Sequence, residues 1–208
     1  TKKILTLMSL LANLSAQDLQ WPTDTGNSYS SNFGEYRDDH FHMGLDIRTK
    51  GTIGHKVLAV ENGYISKIIT NYSGYGKAIY QKTISGKTIV YAHLDKFSPI
   101  LERVVKLQQS KNKKYSIRTN FSSNEFRLKK GDVIGYSGDT GYAFGPNLHF
   151  EVRDESDAAL DPLKNGYLAP DKVNPIMHKI ALVPLSKGTL INSSPLVQTL
   201  PLFRNKNG

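Results

Sequence analysis

Polar and apolar residues alternate over Asn147-Leu148-His149-Phe150-Glu151-Val152, the period of a strand with one face in a core. Leu148, Phe150 and Val152 take the buried side, and Asn147, His149 and Glu151 share the other. A polar row in that position is either a site or a solvated face, and the pattern alone leaves both open. Shorter apolar runs at 57–60, 64–69, 77–82, 88–94 and 133–136 read as further strands. They are separated by turn sequences at Glu61-Asn62-Gly63, Ser73-Gly74-Tyr75-Gly76, Ser85-Gly86 and Lys129-Lys130-Gly131-Asp132. Residues 99–109 place Ile100, Leu101, Val104, Val105 and Leu107 at helical spacing, which predicts a short helix. Ser110 to Asn124 is polar and basic, an insertion or lid-like segment rather than core. The expectation is an all-β domain, a compact antiparallel sheet or sandwich with one short helical, basic insertion at about 99–128.

The ends of the chain read differently. Lys2 and Lys3 precede an apolar run from Ile4 to Leu14 and then Ser15-Ala16-Gln17, the layout of a secretory signal peptide over 1–16. That run is short of the roughly 20 residues a transmembrane helix needs, so no membrane span is expected after its removal. The domain is expected over 17–165. Beyond Arg153, Asp161-Pro162 and Asn174-Pro175 bracket a polar connector, and Ile180-Ala181-Leu182-Val183-Pro184-Leu185 reads as a new apolar strand. Residues 166–208 are expected to form an appended β segment, the start of a second domain cut short.

Composition narrows the chemistry. The 208 residues include no cysteine, which excludes disulfides, thiolate catalysis and Cys-ligated metal sites. Any metal is then held by imidazole and carboxylate. The formal net charge is +9, and from Lys96 to Lys130 ten basic residues face two acidic ones. Such a segment is read as attraction to anionic envelope polymers, as a lid over a cleft, or simply as a solvated insertion. No aromatic-plus-basic or helix-turn-helix pattern accompanies it, so a nucleic-acid partner is not expected.

Candidate ligands are scattered as they are in all-β metalloproteins. His42 and Asp46 are four apart, with Gly44 between them and Leu45 and Ile47 alternating after it. That favours a bend or strand over a helix. His40 shares the parity of His42, and either satisfies the spacing. His93 ends the run 88–94 with parity opposite to Ala92 and Leu94, a rim or a site position. Two imidazoles and one carboxylate make the common N/O set for zinc with a fourth position left for water, in which the bound water's pKa falls to about 7. Glu151 has the parity of His149 and is read first as a salt-bridging strand residue, second as a group that orients a ligand.

Three stretches occur in order: His42-Met43-Gly44-Leu45-Asp46, Tyr91-Ala92-His93-Leu94, and Thr140-Gly141 followed by Gly145-Pro146-Asn147-Leu148-His149-Phe150-Glu151. Together they resemble the lysostaphin/LytM-type zinc endopeptidases, over about residues 31–153. The resemblance implies a compact antiparallel β domain, one zinc ion, and cleavage of peptide cross-links in bacterial peptidoglycan by an exported protein. It matches His42, Asp46 and His149 to the zinc ligands and His93 to a catalytic histidine. It departs at Asn147, where the family has a second histidine. An amide donates a hydrogen bond to an oxyanion but does not relay a proton. The alternative expectation is therefore a zinc-binding but catalytically weak or inactive module that binds the wall or activates another hydrolase.

Overall fold

The computed structural model describes residues 19–37, 40–170, 179–184 and 186–201. The expected signal segment, 1–16, lies outside them. Two compact units divide the chain, residues 1–170 and 171–208. The second contains the strands β13 (Lys179–Leu182) and β14 (Gln198–Pro201), which pair antiparallel.

The first unit is built from β1 (Tyr29–Ser31), β2 (Leu45–Arg48), β3 (Lys56–Leu58), β4 (Gly63–Thr70), β5 (Lys77–Thr83), β6 (Thr88–Ala92), β7 (Leu94–Phe97), helix α1 (Pro99–Asn112), β8 (Ile117–Asn120), β9 (Arg127–Leu128), β10 (Val133–Ser137), β11 (Asn147–Arg153) and β12 (Ala159–Leu160). Among the described residues nine of these strands form one antiparallel sheet, in the order β1-β2-β11-β6-β5-β4-β8, with β12 beside β11 and β9 beside β4. Strands β3, β10 and β7 form a smaller sheet. The all-β expectation holds.

A single apolar core joins the two sheets. Leu45, Ile47, Ile89, Tyr91, Leu148, Phe150 and Val152 come from the large sheet and meet Val57, Ile134, Leu94 and Phe97 of the small one. Leu148, Phe150 and Val152 are fully buried, each contributing on the order of 1.5–3 kcal/mol. Strand β6 is buried on both faces: Ile89 and Tyr91 enter the main core, while Val90 and Ala92 join Ala78 and Tyr80 in a second cluster. That second face is the one shared by His149 and Glu151. Tyr167 also packs into the main core, edge-on to Phe150.

The basic insertion differs from expectation. Helix α1 has Pro99 in its first turn and ends at Lys113, a left-handed residue whose N–H reaches the carbonyls of Gln109 and Ser110. The polar residues after it then form β8, an edge strand on β4 with Ile117 buried and Arg118 outward. Charged residues suit such an edge, because they discourage pairing with another chain. In the sheet order β8 is four strands from β11, roughly 19 Å at about 4.8 Å per strand. The insertion borders the far edge of the sheet and is not a lid over the histidines.

Candidate metal centre

Register brings the candidate ligands together. In the ladder between β2 and β11, Asp46 lies opposite His149 and Arg48 opposite Asn147. On the other side of β11, His149 lies opposite Ala92, so His93 follows directly at the end of β6. His42 arrives from the loop before β2. Gly44 permits the approach: a Cβ there would stand 2.2 Å from the carbonyl oxygen of Phe150, so no larger residue fits between this loop and β11.

Three side-chain atoms converge on one point. His42 Nε2 is 3.0 Å from His149 Nδ1, His149 Nδ1 is 2.9 Å from Asp46 Oδ1, and His42 Nε2 is 3.2 Å from the same oxygen. Tetrahedral zinc with bonds of about 2.0–2.1 Å would separate its ligand atoms by about 3.3 Å, close to these edges. His40 is exposed and outside this trio.

The outward ring nitrogens settle the tautomers. His42 Nδ1–H donates to the Asn32 carbonyl at 2.7 Å, and His149 Nε2–H donates to Glu151 Oε1 at 2.8 Å. Both rings therefore turn lone pairs inward, toward a carboxylate oxygen that also only accepts. Three acceptors facing one another repel unless a metal ion or a proton lies between them, and two imidazoles with one carboxylate suit zinc. Backbone carbonyls and carboxylates behind ligating histidines serve this purpose in metal sites generally.

The groups behind the ligands are themselves fixed. Glu151 is fully buried and accepts from His149, from the Tyr75 hydroxyl and, at 2.7 Å, from Arg153 Nε. Arg153 also donates to the Tyr75 oxygen at 3.1 Å, and the Tyr75 ring stacks on His149 with centroids 5.5 Å apart. Glu151 thus makes the salt bridge preferred from sequence and also orients the ring of the candidate ligand His149. Arg37 donates to Asp46 Oδ2 at 3.2 Å, leaving Oδ1 for the centre. Tyr75, Arg37 and Asn32 were not singled out from sequence; Tyr75 lay in a Gly-Tyr-Gly turn whose glycines were the visible signal.

Without a metal, a proton serves the same cluster. Burial alone would lower the pKa of His149, but its hydrogen bonds to Asp46 and Glu151 raise it to about 9. Burial opposes ionisation of Asp46, yet the hydrogen bond from His149 and the contact with His42 hold its carboxyl far below the usual range. Glu151 is likewise lowered, because His149 and Arg153 outweigh its burial.

His93 is no rim residue. It is buried, with its ring edge-on to His149 at 5.6 Å between centroids. Its φ of 60° is left-handed, a costly conformation for a non-glycine residue and one that concentrates at functional sites. The strain is held by its backbone N–H, which donates to the Tyr75 carbonyl at 3.0 Å, and by Nδ1–H, which donates to the Thr140 carbonyl at 2.7 Å. Thr140 is in turn tied by Lys77 N and by its own bond to the Leu94 carbonyl, both 2.9 Å. Burial and the neighbouring His149 lower the pKa of His93, so the neutral ring keeps a lone pair on Nε2.

Asn147 lines the same cleft as Asp46 and His93, about 510 Å³ in volume. Its Nδ2 donates to the Gly145 carbonyl at 2.9 Å, while its Oδ1 is buried without a hydrogen-bond partner among the described residues. Tyr142 and Phe144, both highly exposed, stand at the cleft mouth.

The fold has counterparts of known structure. A zinc-containing peptidase from Vibrio cholerae superposes with a TM-score of 0.50 at 23% identity, over 68% of this chain and 37% of that one. The fold is that of the lysostaphin/LytM-type peptidases. The SpoIIQ–SpoIIIAH pore-forming complex contains a chain of the same fold, with a TM-score of 0.51 and 20% identity over 72% of this chain and 91% of that one. In sequence, 112 residues are 30% identical to the DD-carboxypeptidase/endopeptidase Mpg of Neisseria meningitidis serogroup B, covering 54% of this chain. The match spans 20% of the length of that curated relative. No family model matches the chain.

Proposed function

We propose that this protein is a zinc-dependent endopeptidase that hydrolyses peptide cross-links of bacterial peptidoglycan, acting after export to the cell envelope. The observation that supports it most is the convergence of His42 Nε2, His149 Nδ1 and Asp46 Oδ1 beside a buried, strained His93. His42, Asp46 and His149 would hold the metal. Zinc bound there supplies Lewis-acid polarisation of a carbonyl and a water acidic enough to attack at neutral pH. His93, neutral and anchored through Nδ1, presents Nε2 to take a proton and return it to the leaving amine. Asn147 retains one amide N–H beyond its bond to Gly145 for a developing oxyanion. The likeness to a relative named DD-carboxypeptidase/endopeptidase supports the choice of substrate. The basic residues between Lys96 and Lys130 lie along α1, β8 and β9 and would attract anionic envelope polymers from the far edge of the sheet.

The test is digestion of purified peptidoglycan sacculi by the zinc-loaded protein. New peptide termini are expected by mass spectrometry, lost on adding a chelator and restored by zinc. Absence of chelator-sensitive release would sink the peptidase reading. One observation favours a second reading, a zinc-bearing module that binds the wall or activates another hydrolase: Asn147 stands where the LytM-type peptidases carry a proton-relaying histidine. The fold is also shared with a chain of a pore-forming complex.

A further inference from the structure

The cleft beside the metal centre carries more positive charge than its own structure uses. Of its cations, Arg37 is committed to Asp46. Arg48 and Lys50 make no ion pair among the described residues, and both are exposed on the cleft wall. Arg48 is nevertheless not a waving surface arginine. It has the parity of Asp46 on β2, so both side chains leave the same face of the sheet. Its Nε donates to the Tyr29 carbonyl at 3.2 Å, which fixes one edge of the guanidinium and leaves the terminal nitrogens for a ligand. Its partner across the ladder is Asn147, whose Oδ1 is a buried acceptor without a hydrogen-bond partner among the described residues. Such an acceptor costs free energy until a donor reaches it.

We infer that this wall is a subsite for a free carboxylate on the peptide, within about two residues of the bond presented to His42, Asp46 and His149. Arg48 sits two residues along β2 from Asp46, about 6.6–6.8 Å at the strand rise, and an extended peptide covers that distance in about two residues. A guanidinium recognises a carboxylate through paired N–H donors, and Lys50 adds a point charge beside it. Arg37 keeps Asp46 from repelling the ligand by holding its outer oxygen. The substrate class is then a peptide with an unamidated carboxylate next to the cleavage point, and neutral or amidated peptides are disfavoured. The inference rests on the peptidase reading only in taking a peptide as the ligand.

Two probes separate the two claims: acetyl-Lys-D-Ala-D-Ala and its C-terminal carboxamide, titrated into zinc-loaded protein by NMR while products are followed by mass spectrometry. The acid is expected to bind roughly tenfold or more tightly than the amide, the scale of a charge-assisted hydrogen bond. In Arg48→Gln/Lys50→Gln that ratio is expected to fall to about one with zinc content unchanged. Equal affinity for the two peptides, an unchanged ratio in the double variant, or no binding of either at millimolar concentration would overturn the subsite. Preference for the acid without any product would leave the subsite standing and count against the peptidase; cleavage with no preference would do the reverse.

Discussion

Two ends of one strand face behave differently. Around His149 each candidate ligand has a partner behind it: Glu151 behind the ring, Tyr75 and Arg153 behind Glu151, Arg37 behind Asp46, and Asn32 behind His42. Two residues earlier, Asn147 has a buried acceptor that meets no donor among the described residues and an amide half spent on Gly145. On the proposed function, metal binding would be specified several times over, whereas turnover would depend on His93 alone for proton transfer. A chain selected only to hold zinc has no need of a buried, left-handed histidine beside it. A chain optimised for turnover has no evident need of an asparagine two residues from a ligand.

The largest break in that comparison comes from the ligands. His149→Ala removes one of the three converging acceptors and leaves Glu151 buried without its imidazole. Stoichiometric zinc is expected to disappear, measured by elemental analysis after dialysis, and hydrolysis with it. His93→Ala cuts between the two functions. Zinc content should match the native protein, while hydrolysis of sacculi falls by about 10²–10⁴-fold, the usual worth of a general acid–base group. Loss of zinc from this variant would show that His93 belongs to the binding half instead.

The strands and the gathering of the candidate ligands are legible in the sequence, because strand period and motif order are local signals. Alternation in 147–152 placed Leu148 and Phe150 in the core and His149 opposite them, and β11 is built that way. What the alternation does not encode is that the polar face is buried as well: His149 and Glu151 lie under Tyr75, delivered by a turn some seventy residues earlier. The same holds for Arg37 and Asn32, whose roles come from where a loop returns. The segment after α1 was read as a surface insertion because its residues are polar. It pairs as β8 because an edge strand needs only one buried side, and Ile117 with Thr70 beneath it suffices. His40 and His42 share parity, and only the path of the loop separates the candidate ligand His42 from its exposed neighbour.

A gentler perturbation tests how far the support behind the ligands matters. In Glu151→Gln the single amide oxygen can serve His149 or Arg153 but not both. Zinc affinity is expected to fall by about 10–100-fold, read from competition with a chromogenic chelator, while His93 is untouched. An unchanged affinity would mean that the ring of His149 is held by stacking on Tyr75 and by the ladder alone.

Proton and metal compete for the same place, and the pH dependence of stability exposes this. In chelated protein the pKa of His149 is raised from 6.5 to about 9. A raised pKa means that the folded state binds the proton more tightly than the unfolded chain does. The stabilisation is thus complete below about 6.5 and is lost as pH rises through about 9. Thermal melts of chelated protein should therefore fall across that window. With zinc present the melting temperature should not show that fall, since the metal occupies the lone pair the proton would take. Parallel curves with and without zinc would show that the ion does not bind at His149.

The smallest expected change is the most informative about Asn147. If His93 carries proton transfer unaided, Asn147→His alters hydrolysis by less than about tenfold, because the oxyanion is served by an amide N–H in one case and an imidazole N–H in the other. If the native chain is instead a binding module, restoring an imidazole supplies a missing acid–base group, and hydrolysis should rise from background by something like 10²–10⁴-fold. Zinc content must be equal in the two proteins for the comparison to count, which the fully partnered ligands predict. The new ring would also stand beside Arg48 in the ladder. A loss of discrimination between acid and amide peptides in the same variant would therefore show that Asn147 contributes to substrate recognition, a use of the position that keeps asparagine in a working enzyme.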